Sequence, residues 1–261
     1  MATLDAPGTF CWMDHQSRDR DTAEAFYADV LGWGMTRQPV GGGFEYTMVD
    51  LVGHPVGGMW QKGDEAPEGE PSRWQMHIAT DDLDATAARA VELGAIVILE
   101  PHDVMGLGRM ALMRDPSGCV IGFWQAGTFA GFGVMAAVGS MAWCDLRTPD
   151  VDGARDFYTA LLGWTAEEIG GGGDQRYVVF SHEGEQIAGL GPDAAPTGWT
   201  PYIAVRDVDA AIAAATARGA AVTFGPHDTP YGRLVALVDP AGAPVNLITP
   251  AREPIEAQPA A

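Results

Sequence analysis

Cysteine is scarce in this chain: Cys11, Cys119 and Cys144 are the only three in 261 residues, and they form no CxxC pair. That excludes a disulfide scaffold and a thiolate zinc cluster, and predicts reduced, buried thiols in a cytoplasmic protein. Basic side chains are also few, 15 Lys and Arg against 35 Asp and Glu, for a formal charge of −20. Such a surface repels phosphate backbones and anionic bilayers, which sets aside nucleic acid and membrane surfaces as partners. No uninterrupted apolar run of about 18 residues occurs, so no membrane span is predicted. The opening MATLDAPGTF lacks the basic and apolar regions of an export leader. The glycine runs 41–43 and 170–173 precede no helix, so they read as hairpin loops and not as phosphate cradles.

What the chain has in quantity is apolar and repeated. The hydrophobic fraction is 47%, ample for two domains of ordinary size. Residues 9–33 are written again at 140–164: Trp12 matches Trp143, Phe26-Tyr27 matches Phe157-Tyr158, and Gly32-Trp33 matches Gly163-Trp164, all 131 positions apart. Tyr46 and Tyr177 keep that spacing. The offset then falls to 125, pairing Trp74 with Trp199 and Gly94-Ala95 with Gly219-Ala220. It falls again to 124, pairing Asp115-Pro116 with Asp239-Pro240. The lost residues lie in the charged, proline-containing stretch between Trp60 and Trp74, which therefore reads as a loop.

Each half divides further into two units of the same order. Phe10 to Asp14 reads as a strand, and Asp21-x-x-Glu24 as a helix cap. Ala23, Phe26, Tyr27, Val30 and Leu31 make one apolar helix stripe that Gly32 stops. Two strands follow, Phe44 to Val52 and Pro55 to Trp60. The second unit has a strand from Trp74 to Thr80, a helix from Leu83 to Leu93, and strands at 95–100, 109–114 and 119–124. Asp115-Pro116-Ser117-Gly118 turns its last hairpin. The predicted organisation is a first domain at 1–126, an apolar linker at 127–139 packed on the surface, a second domain at 140–250 with its last strand at 245–248, and a tail at 251–261 that frays.

The Phe-Tyr…Leu-Gly-Trp helix, the Asp82 to Ala85 and Asp207 to Ala210 helix starts, the following Gly-Ala pair and the Asp-Pro-x-Gly hairpin resemble the vicinal oxygen chelate superfamily. This superfamily includes glyoxalase I, extradiol dioxygenases and bleomycin-resistance proteins. The resemblance covers nearly the whole chain. It implies an α+β fold, the tandem glyoxalase/bleomycin-resistance/dioxygenase fold, in which four βαβββ modules form two eight-stranded half-barrel cups. Modules pair either within a half or between halves. The tandem layout with doubled Trp-x-Asp is most similar to a glyoxalase-like or hydroxylase-like group, some of it associated with tailoring of aromatic polyketides.

Metal-dependent members carry ligands on the first and last strands of each module. Aligned here, those positions are Trp12, Gly58 or Met59, Gln75 and Gly122, then Trp143, Gly189 or Leu190, Thr200 and Asn246. Indole has no lone pair for a cation, so no metal and no other cofactor is expected. If the alignment slips by two residues, Asp14, His77, Asp145 or Tyr202 would face the cup too, because side chains alternate with period 2. The predicted lining is Phe10, Trp12, Arg73, Gln75, Trp124, Trp143, Thr200 and Asn246, with Asp14, His77, Asp145 and Tyr202 as the acid/base candidates. An aromatic wall with a few polar groups suits a small organic ligand. Full burial of one Trp, at 150–250 Å², is worth roughly 4–6 kcal/mol, so Trp12 and Trp143 are either walls that stack a ligand or plugs that close the cup. Arg109 and Arg233 are expected to pair with Asp115 and Asp239, and His102 and His227 to shape rim loops.

The expectation is metal-independent binding of an aromatic or hydrophobic molecule, with or without metal-free conversion, by a monomer or homodimer. A divalent-metal glyoxalase-type lyase or dioxygenase, and a drug-sequestering protein without catalysis, are the alternatives.

Overall fold

The computed structural model describes residues 6–64, 66–67, 69–169, 176–192, 197–252 and 256–260. The second glycine run, 170–173, lies outside them. The first half runs β1 (Phe10–Ser17), α1 (Arg20–Leu31), β2 (Gly34–Gly41), β3 (Phe44–Leu51), β4 (His54–Gln61), then β5 (Arg73–Ala79), α2 (Leu83–Glu92), β6 (Ile96–Asp103), β7 (Gly108–Arg114) and β8 (Val120–Ala126). The second half repeats it as β9 (Met141–Thr148), α3 (Val151–Leu162), β10 (Thr165–Ile169), β11 (Tyr177–His182), β12 (Glu185–Pro192), β13 (Gly198–Ala204), α4 (Val208–Ala217), β14 (Ala221–Thr229), β15 (Gly232–Val238) and β16 (Pro244–Pro250). Four βαβββ modules are thus present.

Each half makes one open, mixed eight-stranded sheet. The orders are β2-β3-β4-β1-β5-β8-β7-β6 and β10-β11-β12-β9-β13-β16-β15-β14. Within a module the first strand runs parallel to the last, as β1 does to β4 and β9 to β12. Consecutive strands within a module, such as β2 with β3 and β3 with β4, are antiparallel hairpins. Among the described residues, no helix is long and apolar enough to cross a membrane. All three cysteines are buried and outside any disulfide.

Two strands escape the sequence reading. β2 and β10 are sheet edges whose side chains are mostly exposed, so they show no inside-outside alternation, and β2 carries Pro39, which an edge strand tolerates. The cap of α1 also differs. Asp19, not Asp21, accepts the Thr22 N–H at 3.1 Å. Glu24 is drawn away to Arg20 and Arg37. The other starts hold: Asp82 and Asp207 cap α2 and α4, and Gly32 and Gly163 end α1 and α3 in the left-handed conformation.

Packing divides the chain differently from the sheets. One compact unit holds 1–12, 75–131 and 143–199, and the other 13–74, 132–142 and 200–261. Each unit therefore joins one module from each half, with α2 against α3 in the first and α1 against α4 in the second. The repeated residues explain this pairing. In the first unit Tyr158 is fully buried, its hydroxyl donates to Asp115 Oδ2 at 2.8 Å, and it accepts from Trp199 Nε1 at 2.9 Å. In the second, Tyr27 donates to Asp239 Oδ2 at 2.9 Å and accepts from Trp74 Nε1 at 2.8 Å. Each tyrosine also stacks on its Gly-Trp tryptophan, Trp164 or Trp33, at 19°. Burial, and then the neighbouring carboxylate, push both phenol pKa values well above the ordinary range.

The Asp-Pro turns thus supply buried acceptors. Arg109 and Arg233, expected to pair with these aspartates, bind Asp84, and Asp209 with Asp228, instead. At these aspartates the two units differ: His15 Nε2 lies 2.8 Å from Asp239 Oδ2, whereas the position matching His15 is Leu146.

The linker is pinned. Phe129 N–H donates to Leu107 O in the first unit, and Gly133 N–H to Pro55 O in the second. Trp33 Nε1 donates to Gly139 O at 2.7 Å. Residues 256–260 do not fray: Ala260 N–H reaches Val52 O at 3.0 Å, and His54 Nε2 lies 2.7 Å from Gln258 O.

Candidate functional site

Parallel pairing sets which side chains lie over glycine. On β9 and β12 the partners are Asp145 with Gly189 and Arg147 with Gly191. Side chains alternate along a strand, so Trp143, Asp145 and Arg147 share one face, while Cys144 and Leu146 fill the core. A Cβ on Gly189 would overlap the Tyr177 hydroxyl and the Asp145 carboxylate, and one on Gly191 would come within 2.6 Å of Arg147 Nη1. The two glycines therefore form a trough that only a strand without side chains can supply.

The groups in that trough, all within the first unit, converge on one carboxylate. Asp145 Oδ1 accepts from the Tyr177 hydroxyl at 2.7 Å and from Trp143 Nε1 at 3.0 Å, and Oδ2 accepts from Arg147 Nη2 at 2.8 Å. The Trp143 N–H also reaches the Tyr177 oxygen at 3.2 Å. The guanidinium lies 5.8 Å from the Tyr177 ring centroid. Asp145 is 2% exposed, but the Arg147 side chain is 36% exposed.

A related arrangement occurs in the second unit on β1, β3 and β4. Asp14 faces Gly58, the Tyr46 hydroxyl donates to Asp14 Oδ1, and a Cβ on Gly58 would overlap that hydroxyl. The next pair along is different. Where the second half has Arg147 over Gly191, the first has Gln16 beside Trp60, and Trp60 stacks on Phe44 with ring centroids 5.7 Å apart.

The remaining predicted residues distribute as follows. His77 is buried over Gly122, where a Cβ would overlap its ring. The residues over glycine are hence Asp14, His77 and Asp145, two positions on from the aligned Trp12, Gln75 and Trp143. Trp12 is 7% exposed and packs edge-on against Phe129 at 4.9 Å, whose carbonyl also accepts from Trp124 Nε1 at 3.0 Å. It is a plug. Trp143 is only partly buried and is bonded to Asp145.

Phe10, expected on the Trp12 face, is taken into the aromatic core against Trp199 and Trp164. Arg73 is held by Glu70 at 2.6 Å in the loop before β5. Gln75 is 1% exposed, with its amide nitrogen on Met76 O at 3.0 Å. In the second unit Tyr202 pairs with Asn246 across β13 and β16, and Thr200 is buried. Near Trp124, a cleft of about 190 Å³ bordered by Thr80, Asp81 and Gln125 is small for an organic ligand.

Tyr46 and Tyr177 were missed as site residues. Their signal was present, since they keep the 131-residue spacing of Trp12 and Trp143.

The trough does not suit a divalent cation. It offers one carboxylate and one phenol, and the guanidinium beside that carboxylate would repel a cation. Among the described residues, no group of three or more His, Cys, Asp or Glu side chains is placed to hold a metal ion.

Comparison with known proteins agrees with this architecture. A family model described as Glyoxalase-like domain matches residues 12–122, and one described as Glyoxalase/Bleomycin resistance protein/Dioxygenase superfamily matches 140–247. CFP32 of Mycobacterium tuberculosis is 36% identical over 94% of this chain and 95% of its own length. The anthracycline biosynthesis protein DauV of Streptomyces sp. (strain C5) is 35% identical over 98% of this chain and 97% of its own. The solved Mn(II)-bound glyoxalase from Novosphingobium aromaticivorans superposes with a TM-score of 0.66 over 96% of this chain and 84% of its own, at 19% identity, a likeness of fold.

Proposed function

The chain belongs to the glyoxalase/bleomycin resistance protein/dioxygenase superfamily, and on that premise we propose that it binds a planar aromatic organic molecule without a metal ion and carries out proton transfer on it. The observation that carries this reading is the Asp145 carboxylate, buried at the floor of the glycine trough with Tyr177 and Trp143 as its donors. A binding protein needs only the indole wall of Trp143. A carboxylate and a phenol held in one hydrogen-bonded pair add the means to take a proton from a ligand and to return it, as isomerisation or hydration requires. The relative named for anthracycline biosynthesis supports a fused-ring aromatic ligand. The guanidinium beside Asp145 favours a metal-free site over the divalent-metal alternative.

Titration with 1,4-dihydroxyanthraquinone, followed by quenching of tryptophan fluorescence, tests the reading. Saturable quenching is expected, weakened about tenfold or more by Asp145→Asn and by Tyr177→Phe. Absence of saturable quenching in the unaltered protein would overturn the reading, and so would a stoichiometric divalent metal in natively purified protein.

A further inference from the structure

The two halves are not equivalent at the position that flanks the carboxylate. In the second half Gly191 leaves room for Arg147, whereas in the first the matching residues are Gln16 and a Trp60 stacked on Phe44. We propose that Arg147, admitted by Gly191, makes the second half a site for a weakly acidic hydroxyl, a phenol or enol on the ring system, which it binds as the oxyanion. This rests on the reading of the Asp145 cluster as a ligand site.

The chemistry follows from the placement. A ligand hydroxyl that meets the guanidinium gives up its proton to solvent water, and its O–H electron pair stays on the ligand oxygen. The guanidinium, 2.8 Å from Asp145 Oδ2 and a third exposed, pairs with the new oxyanion through its remaining N–H groups. Charge is conserved, the proton leaving to solvent, and no redox partner is needed. A ligand without an ionisable hydroxyl gains only the contact with the indole wall of Trp143. The first half has no cation at the matching position, because Gln16 is neutral, and the Trp60–Phe44 stack fills the space that Gly191 leaves open. Acidity of the ligand is thus read in one half alone.

The test uses 2-hydroxyanthraquinone, whose visible absorption changes on ionisation, beside 2-methoxyanthraquinone, which cannot ionise. Bound to the intact chain, the hydroxy compound should ionise at least one pH unit lower than in buffer, a tenfold shift in its proton equilibrium. Arg147→Gln should abolish that shift and weaken the hydroxy compound about tenfold, while changing the methoxy compound less than twofold. Arg147→Lys, which keeps the charge, should retain most of the shift. Methoxy binding with no ionisation shift, or an unchanged shift in Arg147→Gln, would overturn the proposal and leave the ligand site standing. If neither compound binds, the reading of the Asp145 cluster as a ligand site fails, and this proposal with it.

Discussion

Removal of one hydroxyl tests how the modules are locked together. Tyr158→Phe keeps the ring, its stack on Trp164 and its edge contact with Trp199, so apolar burial barely changes. What is lost is the donor to Asp115 Oδ2 and the acceptor of the Trp199 N–H. Leaving two buried polar groups without these partners costs about 1–3 kcal/mol each, or roughly 2–6 kcal/mol together. At about 2.1 cal/mol/K of unfolding entropy per residue, a chain of 261 residues has about 0.55 kcal/mol/K. The expected fall in Tm is therefore about 4–11 °C. Tyr27→Phe is milder, because Asp239 Oδ2 keeps its contact with His15 and only the Trp74 N–H loses its acceptor outright. Its cost is about 1–3 kcal/mol, or roughly 2–5 °C. Scanning calorimetry of both variants decides the matter. A Tyr27→Phe loss equal to or greater than that of Tyr158→Phe, or losses under about 1 °C in both, would refute the reasoning.

Asp115 and Gly189 give two further predictions. Burial raises the Asp115 pKa above the ordinary value of 3.8, so above that pH the unfolded chain ionises first while the folded chain keeps its proton. Its contribution is present below the unfolded value and is lost as pH rises through the folded one. The urea midpoint of Asp115→Asn, relative to the unaltered protein, should therefore rise with pH across that window, and a flat or falling difference would contradict the assignment. Gly189→Ala forces a methyl into the Tyr177 hydroxyl and the Asp145 carboxylate, and should cost about 1–3 kcal/mol by overpacking. Unchanged stability and ligand binding in that variant would show that the trough is not tightly filled.

The fold was legible because repetition fixes it four times over: the Phe-Tyr helix, the Gly-Trp stop and the Asp-Pro turn each recur at set offsets. β2 and β10 were not legible, since an exposed edge strand has no buried face to impose a pattern. Asp14, His77 and Asp145 were named from strand alternation, but which of two registers faced the glycines depended on parallel pairing between strands far apart in sequence. Tyr177 was harder still. It reaches Asp145 from β11 across the gap left by Gly189, so the 131-residue spacing from Tyr46 marks it as repeated without showing which group it meets. Phe10 stands at the start of its strand and turns into the aromatic core instead of continuing the alternation.

Whether the second half is the open one is tested most directly by counting ligands and locating them. Calorimetric titration with 1,4-dihydroxyanthraquinone should give one bound molecule per chain. Its quenching of tryptophan fluorescence should be lost largely in Trp143→Phe and kept in Trp12→Phe. Two molecules per chain, or quenching that depends on Trp12 and not on Trp143, would contradict the account.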